Sequence, residues 1–193
     1  MPNAKRRIVA LAMLASGVCM TSPASPDTVA PGQEGELLNY LPPQPGKHIC
    51  FSRTYSAAHL AEHPKQQVTD IEFRLAYHRF EPDQFFPQGQ RNYYFEALAH
   101  VRGNDKLLKA FGECSPLGDK ISCGVDCDGG GLIVKRTDKP GQILVDLTSY
   151  GHLRMTEGCG EDDDSYVDLQ PGADDKTFLL SQSAAPCPAY ESW

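Results

Sequence analysis

The chain has 193 residues, 18 of them basic and 25 acidic, for a formal charge of −7. That balance excludes a polyanion as partner, because a nucleic-acid or anionic-membrane surface recruits Lys and Arg in excess. The length suits one ordinary domain with a real core.

Met1 to Ala24 carries Lys5, Arg6 and Arg7, then the apolar run from Ile8 to Ala15, then small residues ending Ser22-Pro23-Ala24. This is the pattern of a secretory signal peptide, residues 1–24, and the apolar run is too short to span a bilayer. Cys19 follows Ser16-Gly17-Val18, which does not resemble a lipobox. Loss of the leader takes the basic count from 18 to 15 against 25 acidic residues, so the mature chain would carry −10. The expected location is periplasmic or secreted, with no membrane span after signal removal.

Residues 25–47 are dominated by Pro, Gly, Gln and Glu and are expected to be a flexible linker, since that composition buries little apolar surface against its ordering entropy. The single folded domain is expected over residues 48–193.

The domain should open with a strand near Ile49 to Tyr55. Ser56-Ala-Ala-His59-Leu-Ala-Glu62-His63-Pro64 then has a serine cap, an alanine-rich interior and a terminal proline, which predict about two turns of helix ending at His63. His59, Glu62 and His63 also fit H-x-x-E-H, in which two histidines one turn apart hold zinc and the glutamate activates water. Pro64 ends the helix too soon for such a site, so a surface helix turn is the preferred reading and a zinc hydrolase only an alternative.

From Ile71 to Phe80, Ile71, Phe73, Leu75 and Tyr77 alternate with Glu72, Arg74 and His78; from Tyr93 to Arg102, Tyr93, Phe95, Ala97, Ala99 and Val101 repeat the pattern. A period of two with one apolar face predicts half-buried antiparallel strands, with His78 and His100 on the outer face. The loop from Glu81 to Arg91 is long for a hairpin and places Phe85 and Phe86 beside prolines; packing as a lid over a barrel mouth is preferred to partner contact.

Cys114 to Val134 should form three antiparallel strands. If Gly118-Asp119 is a two-residue II′ loop, residues facing each other sum to 237, which places Cys114 opposite Cys123 at a non-hydrogen-bonded position. Along a continuous strand Cys123 and Cys127 would lie ~13 Å apart, too far to bond. The six cysteines outside the leader predict three disulfides in an exported chain: Cys114–Cys123, Cys50–Cys187 closing the first strand onto the last, and Cys127–Cys159. A zinc site on Cys123 and Cys127 is the poorer alternative, because no second Cys/His pair follows at finger spacing.

Strands over Leu132 to Lys135, Ile143 to Leu147 and Phe178 to Leu180 complete about eight. The expected fold is all-β: a small antiparallel barrel of about eight strands, or else a β-sandwich, with one short helix after the first strand.

Asp126-Cys-Asp128-Gly129 has the opening spacing of a calcium loop, although the twelfth position is Thr137 rather than a bidentate Glu. Joined by Cys127–Cys159 to Glu161, Asp162, Asp163 and Asp164, these carboxylates would share a Ca²⁺ ion or point into solvent. No nucleophile elbow, Ser-His-Asp order or phosphate-cradling glycine loop occurs. The expected function is therefore a non-catalytic binding or interaction module that uses barrel-mouth loops toward an envelope protein or a small ligand. In size, compartment and cysteine stapling the chain is similar to exported small-barrel lysozyme inhibitors, without their binding-loop signatures. That similarity is one of architecture, which does not fix function; a second expectation, inhibition of a cationic hydrolase such as lysozyme, rests on the charge of −10.

Overall fold

In the computed structural model, residues 29–87, 89–157, 166–184 and 186–187 are described. Eight antiparallel strands close into a barrel, which decides for the barrel over the sandwich. Around it run β1 (His48–Thr54), β10 (Thr177–Gln182), β7 (Gln142–Asp146), β6 (Gly131–Arg136), β5 (Lys120–Gly124), β4 (Asn104–Leu117), β3 (Gln90–Val101) and β2 (Val68–Phe80), then β1 again. Two three-residue strands, β8 (Leu153–Met155) and β9 (Val167–Leu169), form a separate ribbon.

The period-two pattern sorts residues as expected. Ile71, Phe73, Leu75 and Tyr77 of β2 and Tyr93, Phe95, Ala97 and Ala99 of β3 are buried in one cluster with Leu108, Ile121, Val134, Val145 and Phe178. Side chains, with Tyr93, Phe73, Phe95 and Phe178 the largest, therefore occupy the barrel interior. The short helix α1 (Ala57–Glu62) is capped by Ser56, whose Oγ accepts from the His59 amide, and it stops at His63 before Pro64.

The β4–β5 register is the one derived from the turn. Leu117 faces Lys120 and Cys114 faces Cys123, and Gly118 has φ +61°, the conformation that the first central residue of a II′ turn requires. The Cys114–Cys123 disulfide bridges Cα atoms 4.0 Å apart inside the barrel. The second disulfide, Cys50–Cys187, lies at the β1–β10 seam, where strand pairing runs only over Phe51–Gln182 and Ser52–Ser181. Sulfur thus reinforces the thinnest joint of the cylinder.

Two expectations are corrected. Among the described residues there are two disulfides rather than three: Cys127 is an exposed free thiol, and Cys159 lies outside the described residues, as do residues 1–28 and Glu161 to Asp164. The segment read as a linker instead packs on the barrel from residue 29 onward. It forms a 3-10 turn (Gly35–Asn39) and sends Val29, Leu37, Tyr40 and Leu41 into the core. Prolines set the average composition of this segment, but four apolar side chains brought to one side suffice to anchor it.

Candidate interaction surface

The two ends of the barrel are closed by different pieces of chain. At the end bearing the β2–β3, β4–β5 and β6–β7 turns, residues 29–41 form a plug. Leu37 is fully buried, its carbonyl accepts from the Tyr40 and Leu41 amides at 3.0 Å, and the Tyr93 hydroxyl donates to the Leu41 carbonyl at 3.2 Å. The Val29 amide donates to the Arg91 carbonyl at 2.9 Å, extending the plug along the end of β3. Gly35 is needed here, because at φ +50° an added Cβ would lie 2.8 Å from the Pro116 Cβ. The Glu36 carboxylate accepts from Arg136 Nε at 2.5 Å and from Asn39 Nδ2 at 2.7 Å. The Arg136 bond holds the Glu36 carboxyl below the usual carboxylate range, outweighing partial burial, which acts in the opposite sense.

The β2–β3 loop reaches out from the same end. Asp83 Oδ1 accepts from the Phe85 and Phe86 amides at 2.8 and 2.6 Å, and the Gly89 amide donates to the Phe86 carbonyl at 2.8 Å. These bonds fix the loop while its aromatic rings face outward: Phe85 is 75% exposed and Phe86 39%. The expected lid is not formed, because the plug already covers this mouth. Behind the loop, outward-facing rings form a row on β2, β3 and β4, with His78 and Phe80 centroids 4.3 Å apart, Phe80 and Tyr94 6.3 Å, and Tyr94 and Phe111 5.7 Å. Leu38 of the plug and Leu117 of the β4–β5 turn add exposed aliphatic surface at this end.

The opposite end is polar. There the Asp126 to Gly130 turn meets the β8–β9 ribbon: His152 Nε2 lies 2.8 Å from the Asp128 carbonyl oxygen, and Arg154 Nη1 donates to Asp128 Oδ1 at 2.9 Å. Arg154 Nε also donates to Asp168 Oδ1 at 3.0 Å, and its guanidinium lies 4.1 Å from the Tyr166 ring centroid. Bonds to Asp168 and Asp128 push the Arg154 pKa still higher, so its charge is permanent. The glycine run has a packing explanation. Gly130 has φ +70°, and a Cβ there would lie 2.2 Å from the His152 carbonyl oxygen.

Of the proposed calcium ligands, Asp128 has a guanidinium as its cation, and Glu161, Asp162, Asp163 and Asp164 lie outside the described residues. Among the described residues no three His, Cys, Asp or Glu side chains group as a metal site. That holds for His59, Glu62 and His63 too: the two imidazoles stack at 4.3 Å, His59 Nε2 lies 3.0 Å from Gln66 Oε1, and His63 Nδ1 lies 3.7 Å from Asp174 Oδ1. His100 is on the outer face, as expected, with Nδ1 2.9 Å from Asp70 Oδ1.

The plug is the feature that sequence reasoning missed. Its signal was Leu37-Leu38-x-Tyr40-Leu41, an apolar cluster inside a proline-rich stretch. No family model matches the chain, and no curated protein or solved structure matches it.

Proposed function

We propose that the protein is an exported, non-catalytic interaction module that docks an envelope protein through the plugged end of the barrel. The observation that carries this reading is Phe85, three-quarters exposed on a loop fixed by its own hydrogen bonds. A loop whose backbone is already ordered loses less entropy on docking, and aromatic side chains on such loops are common anchors of partners. Leu38, Phe86 and Leu117 provide the apolar surround. Export is supported by two disulfides, which persist in oxidising compartments, and by the leader-like N-terminal sequence. Among the described residues no helix is long and apolar enough to cross a membrane.

The test is capture from an envelope extract with the mature chain and with a variant carrying Phe85→Ser and Phe86→Ser. A partner retained by the first and lost by the second supports the reading. Equal capture by both sinks it, as does the absence of any partner.

A further inference from the structure

At the plugged end of the β2–β3 ladder Arg79 stands directly opposite Arg91, two steps beyond the buried Tyr77–Tyr93 pair. Side chains facing each other in this way start only ~4.5–5.5 Å apart at Cβ, and two like charges so placed weaken the pairing. Elsewhere the same two strands neutralise an arginine: Arg74 of β2 donates to Glu72 at 2.6 Å and to Glu96 of β3 at 2.9 Å. Arg79 and Arg91 have no such support, since among the described residues neither guanidinium makes an ion pair or a hydrogen bond. The acids of the adjoining loop do not supply one. Asp83 Oδ1 accepts from the Phe85 and Phe86 amides, and Glu81 is exposed.

Two guanidiniums without a carboxylate are thus held at the root of the loop that presents Phe85 and Phe86. Each offers five N–H donors in a planar fork, the geometry that grips a carboxylate through two hydrogen bonds, and neither can shed its charge. Cation and exposed aromatic together select an anion with apolar neighbours. The formal charge of −7 opposes approach to an anionic membrane, which favours a protein carboxylate over a lipid phosphate.

We propose that Arg79 and Arg91 clamp an acidic side chain of the partner, a Glu or Asp flanked by apolar residues that pack on Phe85 and Phe86. This clamp rests on the docking surface proposed above and supplies the chemistry of the partner that surface takes.

The experiment is a nitrogen-15 NMR titration of the mature chain with the peptide acetyl-Leu-Glu-Glu-Leu-amide and with its Gln-Gln counterpart, following the side-chain Nε–H signals of Arg79 and Arg91. The Glu peptide should give saturating shifts of both signals at millimolar concentration, and the Gln peptide should bind about tenfold more weakly or worse. Arg79→Gln combined with Arg91→Gln should abolish binding of the Glu peptide yet leave the melting temperature unchanged or raised, because it removes a like-charge pair. Equal binding of the two peptides, no saturation with either, or a lowered melting temperature in that double variant would each overturn the clamp. So would retention on phosphatidylglycerol vesicles that the double variant loses, which would assign the pair to a lipid headgroup. Phe85→Ser with Phe86→Ser separates the clamp from the reading it rests on: Glu-peptide binding weakened severalfold supports both, whereas binding undiminished there and lost in the arginine variant leaves the clamp standing and removes the aromatic docking surface.

Discussion

The two ends of the barrel solve the same problem by different chemistry. At one, a segment from outside the strand pattern inserts Leu37 and Leu41 and leaves Phe85, Phe86, Leu38 and Leu117 facing water. At the other, an excursion between β7 and β10 inserts Leu147, Leu153, Met155 and Leu169, then covers them with Arg154, Asp128 and Asp168. Apolar burial closes both. At the acidic end the aromatic residues have polar partners, Tyr150 Oη lying 2.5 Å from Ser122 Oγ and Tyr166 under Arg154, yet at 40% and 46% they are as exposed as Phe86. What sets the plugged end apart is Phe85, 75% exposed and without a polar partner for its ring, and the proposed docking surface rests on it.

The comparison can be sharpened first through sulfur. Cys50 and Cys187 are 137 residues apart and tie the seam at the plugged end, whereas Cys114 and Cys123 are nine apart within one hairpin. In the chain-entropy model the long closure contributes about 5 kcal/mol and the short one about 2.5 kcal/mol. Replacing Cys50 and Cys187 with alanine should therefore abolish or nearly abolish folding at physiological temperature, and replacing Cys114 and Cys123 should leave a weakened barrel. Urea unfolding checks this, and equal losses would mean that seam closure is not what the long bridge supplies.

Next come the two closures themselves. Leu37→Ala and Leu153→Ala each delete a fully buried side chain and should each cost about 3 kcal/mol. They should differ in what is released. In Leu37→Ala the 29–47 segment becomes sensitive to protease before the strands do, because few backbone hydrogen bonds hold it. In Leu153→Ala the cleavage should fall in residues 147–176 instead. Limited proteolysis followed by mass spectrometry separates the two.

Much of this architecture was legible in the sequence and some was not, for identifiable reasons. Alternation over Ile71 to Tyr77 and Tyr93 to Val101, and the Gly118-Asp119 turn, fixed faces and register locally, within a dozen residues. The Cys50–Cys187 pairing followed from the need to join first and last strands. The plug escaped notice because its anchors, Val29, Leu37, Tyr40 and Leu41, have no strand or helix period and acquire meaning only against a barrel mouth that composition cannot reveal. The ribbon Leu153–Met155 with Val167–Leu169 is too short to carry a pattern. Phe85 was assigned to a lid for the same reason: the mouth it would have covered is already occupied.

Acid should act on the two ends with opposite sign. Glu36, whose folded pKa is depressed by Arg136, contributes stability that is present above the ordinary glutamate range and lost as pH falls through the folded value. The pair is partly exposed, so the loss should stay under about 1 kcal/mol. Asp175 sits at the acidic end, accepting from the Gln67 and Val68 amides, and there burial prevails over those bonds and raises its pKa. Its charge is a cost that is relieved as pH falls from the raised folded value toward the ordinary aspartate range. Amide exchange protection at Leu41 should therefore weaken on acidification while that at Val68 holds or strengthens; parallel weakening at both would refute the assignment.

The smallest effect expected concerns the cation at the acidic end. Asp128 and Asp168 already share one, the Arg154 guanidinium, whose two faces of hydrogen bonding reach both carboxylates. A second cation at Asp128 would have to displace it, and Arg154 cannot discharge itself by losing a proton. Millimolar Ca²⁺ should accordingly leave the melting temperature of the native chain almost unchanged. Arg154→Gln removes the internal cation and leaves the carboxylates uncompensated, so this variant should melt lower and recover part of the loss when Ca²⁺ is added, the recovery disappearing once Asp128→Asn is combined with it. A calcium-dependent rise of equal size in the native chain and in Arg154→Gln would place the ion elsewhere, and the Glu161 to Asp164 run would then be the segment to mutate.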